Sequence, residues 1–595
     1  MSYPSTLPQH DSDRGARRAR IDATVESMPY DYDRFDGIAL ATAVPKTDHP
    51  HASWFATIAE VLVKIAMNAE KVQKKLSRLH PSHPHNSELM TIIQSAERGG
   101  MHALFDELAA LAEGGKELGR ADSFADFEAL FASVALPNRA GTFKDDLVFA
   151  RMRVAGPNPM MLKRIDRLPD NFAVTPGHVE TAMSVYQRRG IDVSGGNLAK
   201  ALAEGRAFLV DYAALDGAAT GVWNGFPKFL YAPLALFMTV GIDRKLVPIA
   251  IQCSQVPGPD APVFTPADGV KWSMAKTSAH VADGCLHQAV SHLARTHLVL
   301  EAVLLASRRN LADHHPIARL LEPHFEGTLY INDAADTKLM GPGGGVDAVL
   351  AAPIALSRKV AEGGVRAWSF TGSMLKADLA SRGVDDTDAL PDYPYRDDAY
   401  LVQGAIHEWV ESFVRTYYKD GTAVREDVEL QAMFTELGAQ SGGRLADVPV
   451  LENVSDVVNA LTHIIFTASA QHAVVNFAQE QEMSYAPAYP LSGYAKAPTS
   501  APASEQDWFA MLPPLGIAHY QSTLGVMLGS VRHTVLGQYP HGLFHSFAED
   551  PRLAPYLNAF KSRLEGIEEL IRLRNQSREP YVFLLPSLIP QSINI

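Results

Sequence analysis

The sequence predicts a mainly α-helical protein, built as one large helical unit with a helical N-terminal extension and few short strands. Three observations carry that expectation. Apolar residues recur at three- and four-residue spacing along most of the chain, the mark of one buried helix face. The 595 residues are 47% hydrophobic and 20% charged, enough apolar material for a sizeable core and too little charge for a disordered chain. β-Branched runs are short and scattered, at 246–251 and 327–331, so short strands are expected there and no large sheet.

Up to Asp22 the chain is polar, with Arg14, Arg17, Arg18 and Arg20 in the second half. No apolar stretch followed by small residues occurs there, so no secretory signal is expected. Nowhere does an uninterrupted apolar run reach the ~18 residues of a membrane span, and a cytoplasmic protein is the expectation. The first sustained helical face covers 53–79. Trp54, Ile58, Val61, Leu62, Ile65, Ala69, Val72, Leu76 and Leu79 fall on it, among Lys64, Lys71, Lys74, Lys75 and Arg78. This reads as a core helix with a solvated basic face; a lid over an apolar site, or a peripheral membrane contact, has the same pattern.

Pro81 and Pro84 place a loop over 81–87, and further helices are expected at 88–98, 101–113 and 124–134. From Asp145 onward helical periodicity dominates, broken by Gly/Pro-rich loops at 257–269, 341–345 and 489–505. The expected division is a helical extension over 1–144 and a main unit over 145–595, without internal repeats.

Lys and Arg number 53 against 67 Asp and Glu, a net charge of −14 whose field repels polyanions, so no nucleic-acid partner is expected. Cys253 and Cys285 are the only cysteines, which excludes a disulfide scaffold and a cysteine-based zinc module. Oligomeric state is not legible; a monomer is the simpler expectation.

Histidines are densest at His287, His292 and His297, on a strongly helical segment. A step of five turns a side chain by about 140° on an α-helix, so neighbouring rings point apart. One wider π-type turn brings two of them back toward a common point, and imidazole there suits a transition metal. Satisfied core or surface histidines are the alternative. In a second cluster, His472 and Asn476 lie four apart and share a helix face. The sequence finishes apolar, from Leu584 to Ile595, and burying a terminal carboxylate is costly unless it is paired or metal-bound.

Together these three features resemble the lipoxygenase family. Its signature helix carries two iron-binding histidines five apart, a frame that falls on His292 and His297, with His287 as the preceding non-ligand histidine. The family's third histidine and its Asn partner fall on His472 and Asn476, and its C-terminal isoleucine carboxylate on Ile595. Phe149-Ala150-Arg151 with Gly156-Pro157-Asn158-Pro159, then Tyr231-Ala232-Pro233-Leu234, His315-Pro316 and Glu426-Asp427 continue the likeness in family order across 145–595. Residues 1–144 do not read as the β-sandwich lipid-binding module of animal and plant members. The chain thus resembles bacterial members, which carry helical elements near the substrate entrance.

The resemblance implies one non-haem iron, O2 as co-substrate, and polyunsaturated fatty acids such as linoleate and arachidonate as substrates. In that chemistry a hydrogen atom leaves the bis-allylic carbon and O2 adds to the opposite face. Gln288 and Gln479 match the glutamines that link the ligand helices. Ala335 matches the position where alanine accompanies S products, and Leu339 and Leu528 the leucines that clamp the pentadiene. Val349, Leu350, Leu524 and Gly284 match positions that set pocket depth, the small Gly284 implying a deep pocket. One departure matters: the neighbours of Ala335 are Ala334 and Asp336, where some members place an arginine for the substrate carboxylate. Positional specificity and substrate orientation are not legible.

Two rival functions remain. His407-Glu408-Trp409-Val410-Glu411 suggests a zinc hydrolase, but a zincin needs histidine where Glu411 stands. A non-catalytic lipid-binding protein on the same scaffold is the other. Gly341 to Gly345 resembles a phosphate cradle, yet no Lys-Ser/Thr follows, which makes it a loop.

Overall fold

The computed structural model describes residues 5–79, 102, 105–106, 118–223, 225–539 and 550–595. The loop expected over 81–87 and the helices expected over 88–98 and 101–113 lie outside them, apart from residues 102, 105 and 106. Helices dominate, as expected. Ala52–Leu79 is a single helix whose Trp54, Ile58, Val61, Leu62, Ile65, Ala69 and Val72 are buried, the face that the spacing predicts. The side chains of Leu76 and Leu79 lie outside the described residues.

Arg14–Ser27 is a helix within the expected helical extension, although no apolar period marks it in the sequence. It buries mainly Arg17 and Ile21, and Arg17 is held by Glu429 (2.5 Å) and Asp11 (3.0 Å), so an ion pair replaces the apolar stripe that periodicity detects. The run at 327–331 is not a strand. Gly327 adopts φ 77° and starts the helix Thr328–Ala334, and a fully buried short run has no period that separates helix from strand. The helix expected at 124–134 stops at Glu128.

Lys163–Ile165, Ala207–Asp211, Leu234–Val240, Lys245–Gln252 and Val263–Phe264 form a five-stranded antiparallel sheet in that order, against the expectation of none so large. Both of its faces are apolar. Leu234, Leu236, Met238 and Val240 pack with Val179 and Tyr186 of the helix Pro176–Arg188, while Ala235 and Phe237 join the main core. With apolar residues on both sides the two-residue alternation vanishes from the sequence.

The centre of the molecule is the continuous helix Val270–Asn310, long and apolar enough to cross a membrane by composition, with 83% of that apolar window buried inside the fold. Its middle, His287–Leu298, is wound as a π-helix. A second buried rod runs through Val454–Phe466, the π turn Thr467–Gln471, the helix His472–Ala478 and a further π turn, Gln479–Met483. The helix Leu515–Ser530 lies on this last turn, and Ile354–Arg366 lies on the first π segment. A Cβ on Gly364 would come within 2.9 Å of Ala294, so the glycine sets that distance. One apolar core extends from Leu7, Phe35 and Trp54 through these helices to Ile593 and Ile595.

Candidate metal centre

The π winding does what the histidine spacing requires. At about 4.4 residues per turn rather than 3.6, a step of five returns a side chain close to its starting face. His292 and His297 accordingly bring their Nε2 atoms to 3.2 Å, and His472 Nε2 lies 3.4 Å from that of His292. All three rings are buried, and among the described residues they form the one group of three with metal-binding spacing. His287 turns away; its Nε2 meets the carbonyl of Val475 at 2.8 Å.

Burial pushes the imidazolium of His297 down to about 4 and those of His292 and His472 well below the usual histidine range, each ring further disfavouring charge on its neighbours at His292 and His472. The rings are therefore neutral near pH 7. The tautomer of His297 is fixed by Asn332. The Asn332 Nδ2 donates to the His297 carbonyl (3.1 Å) and to Glu301 Oε2 (2.8 Å), so its Oδ1 must accept from His297 Nδ1 at 2.7 Å. That leaves the lone pair of His297 on Nε2, facing the other two rings. Neutral imidazole nitrogens crowded this closely fit a Lewis-acidic metal ion between them. Glu301 also accepts from the backbone N–H of Ala41 (2.8 Å), and burial pushes its carboxyl up to about 7.

Asn476, one helical turn beyond His472, donates its Nδ2 to the Leu528 carbonyl at 2.7 Å. Its Oδ1 accepts from Gln479 Nε2 at 3.3 Å, and Gln479 Oε1 accepts from Gln288 Nε2 at 2.6 Å, joining the two buried rods. Ile595 is 2% exposed. The strand of chain leading to it is tied down by Thr328 Oγ1 to the Ile593 carbonyl (3.1 Å) and Trp54 Nε1 to the Asn594 carbonyl (2.8 Å).

His292, His297, Gln288, Gln479 and Ile595 line one cavity together with Ala335, Leu339, Leu528, Val349, Leu350 and Leu524. Gly284 is not on its wall. A Cβ there would come within 2.6 Å of Leu491, which itself lines the cavity, so the missing side chain admits Leu491 rather than deepening the pocket. The cavity also draws on Phe105, Ile331, Met340, Val346, Met483, Leu491, Gln521 and Gly525, which sequence reasoning missed. One signal was available: Gln521, Leu524, Gly525 and Leu528 form an i, i+3, i+4, i+7 stripe around Leu524 and Leu528.

Asp336, beside Ala335, is held by Arg34 (3.0 Å) and Arg358 (2.7 Å), so it anchors the N-terminal segment. Glu411 pairs with Arg415 (2.9 Å) and Glu408 faces Arg563 (3.8 Å), which leaves the zinc-hydrolase reading without a gathered ligand set.

The family model described as Lipoxygenase matches residues 116–581. A linoleate 9/13-lipoxygenase of Pseudomonas aeruginosa is 37% identical over 650 aligned residues, covering 100% of this chain and 93% of that protein. The polyunsaturated fatty acid lipoxygenase ALOX15B of Rattus norvegicus is 36% identical over 465 residues, 76% of this chain and 66% of the relative. Among solved structures, the anaerobic crystal structure of a delta413-417:GS LOX in complex with arachidonate matches with TM-score 0.84 and 27% identity, over 100% of this chain and 84% of that one. Manganese lipoxygenase of Gaeumannomyces graminis shares the fold, at TM-score 0.75 and 22% identity over 100% of both chains. Sequence likeness, fold and the gathered histidines agree, and the chain belongs to the lipoxygenase family.

Proposed function

We propose that the chain is a non-haem iron lipoxygenase that converts polyunsaturated fatty acids with a cis,cis-1,4-pentadiene, linoleate and arachidonate among them, into S-configured hydroperoxides. The convergence of three uncharged imidazole nitrogens, two of them (His292 and His297) on the wall of a mostly apolar cavity, carries this reading. His292, His297 and His472 would hold the metal through Nε2, with Asn476 Oδ1 and the Ile595 carboxylate completing the set. Mixed imidazole and oxygen donors of this kind suit iron. Bound there, iron supplies the one-electron redox chemistry that removal of a bis-allylic hydrogen atom requires.

The remaining work falls to the chain. Asn332 holds His297 in the tautomer that presents Nε2. The Leu528 carbonyl fixes the Asn476 amide by accepting from its Nδ2, while Gln479, backed by Gln288, uses one lone pair of Asn476 Oδ1 and leaves the other for the metal. Leu339 and Leu528 narrow the cavity where the pentadiene passes, and the Ala335 methyl crowds one end of it, leaving the other to O2. Overall, one C–H bond breaks, a C–O bond forms, and both oxygen atoms and the hydrogen end in the hydroperoxide, with no other reductant consumed. The helix Ala52–Leu79, together with Phe105, closes the site from outside, a role supported by Phe105 on the cavity wall and by the Trp54 bond to the tail.

The test is to assay the purified protein for iron, manganese and zinc, supply linoleate and arachidonate, and resolve the products by chiral chromatography. Iron with S hydroperoxides is expected, and Ala335→Gly should raise the R fraction. Bound lipid without conjugated-diene absorbance would mark a lipid-binding protein instead. Unchanged iron retention after a few residues are added beyond Ile595 would remove the carboxylate from the ligand set.

A further inference from the structure

The cavity wall is apolar away from the metal centre, with one exception. Gln521 is 3% exposed and lines the cavity from the helix Leu515–Ser530. Its amide orientation is fixed, because Nε2 donates to the carbonyls of Met483 (2.7 Å) and Tyr489 (2.8 Å). Turning the amide over would set its oxygen against those two carbonyls. The Oε1 is therefore the atom left to the cavity, an acceptor with no donor among the described residues.

Gln521 stands two turns before Leu528, whose carbonyl holds Asn476, so it lies on the order of 10 Å along the helix from the metal end. A bare hydrocarbon chain beside Gln521 would leave the amide oxygen buried without a partner. A carboxylate would fare worse, since it also only accepts and no Lys or Arg lines the cavity among the described residues.

We propose that Gln521 forms a polar subsite of the cavity, about 10 Å along the helix from the metal end, which receives a hydroxyl group carried by the lipid chain and does not take its carboxylate. The inference rests on the reading of this cavity as the fatty-acid site. Its chemical class is a polyunsaturated fatty acid hydroxylated near the end remote from the carboxylate, entering that end first. A site built to bond a hydroxyl discriminates against the analogue without one, because its own polar group is otherwise stranded.

The experiment compares kcat/KM of the iron-loaded wild-type enzyme for linoleate, ω-hydroxylinoleate and the ω-methyl ether of the latter. The hydroxyl-bearing chain should be favoured over linoleate by about five- to thirty-fold, and the ether, which offers no donor, should lose that advantage. Gln521→Leu should bring the hydroxyl-bearing chain to or below linoleate. The ether comparison needs no variant, so it decides the matter even if Gln521→Leu folds poorly. Equal rates on the hydroxyl and ether chains, or a preference for plain linoleate, overturn the subsite while leaving the lipoxygenase reading intact. No turnover of any of the three overturns both.

Discussion

His297 is oriented by an amide rather than a carboxylate, and the carboxylate stands one step further out. Asn332 lies between the ring and Glu301, and each of its polar atoms is used. Asn332→Leu should free the ring to turn and lower metal affinity by about 10- to 100-fold, measured by competition with a chelator of known strength. Glu301 makes the network sensitive to pH. Its folded carboxyl sits at about 7 against an ordinary 4.5, so the folded chain holds that proton more tightly than the unfolded one. The stability it contributes is complete below the ordinary value and is lost as pH rises through about 7, a difference of about 3 kcal/mol across the window. Denaturant midpoints at about pH 5 and about pH 8 should therefore diverge more in the wild type than in Glu301→Gln. The paired histidines His292 and His297 were legible in the sequence because a spacing of five is strange for an ordinary α-helix, whereas Asn476 and Ile595 were singled out by the resemblance to the family. Asn332 and Gln521 were not, since one amide in a helix has no spacing to betray it.

At the scale of elements, the site depends on irregular helices held by close neighbours. The π segments at His287–Leu298 and Gln479–Met483 give up regular winding, and packing must repay the loss. Leu515–Ser530 packs on the second of these through Gly525 and Gly529. A Cβ on Gly525 would stand 3.0 Å from Ser484, and one on Gly529 would collide with Glu480. Gly529→Val should therefore push the two apart, with Leu528 and its bond to Asn476. A loss of about 1–3 kcal/mol is expected, read from thermal unfolding. The π winding was legible from histidines five apart, because only that winding gathers them. The five-stranded sheet was hidden, because strands such as Leu234–Val240 are buried on both faces and show no alternation. The helix at Thr328–Ala334 read as a strand for a related reason, its residues being nearly all buried.

At the scale of the whole molecule, described residues from Leu7 to Ile595 share one core, and chain segments far apart in sequence meet beside the histidine cluster. The periodicity of 53–79 predicted the buried face of its helix, though not that Trp54 would reach the tail. Crowded Nε2 atoms make the centre favour occupancy, so removing metal with a chelator should lower Tm in a single cooperative shift, followed by calorimetry. The indole of Trp54 has a further use. It is 3% exposed, stands edge-on to Tyr330 at 6.0 Å, and its N–H is engaged by the Asn594 carbonyl, next to Ile595. Its fluorescence thus depends on whether the last residues are seated. The difference in emission between wild type and Trp54→Phe isolates an optical signal for seating of the tail, native to the protein and free of any added dye. Under the proposed role of Ile595, that signal should change when a chelator removes metal.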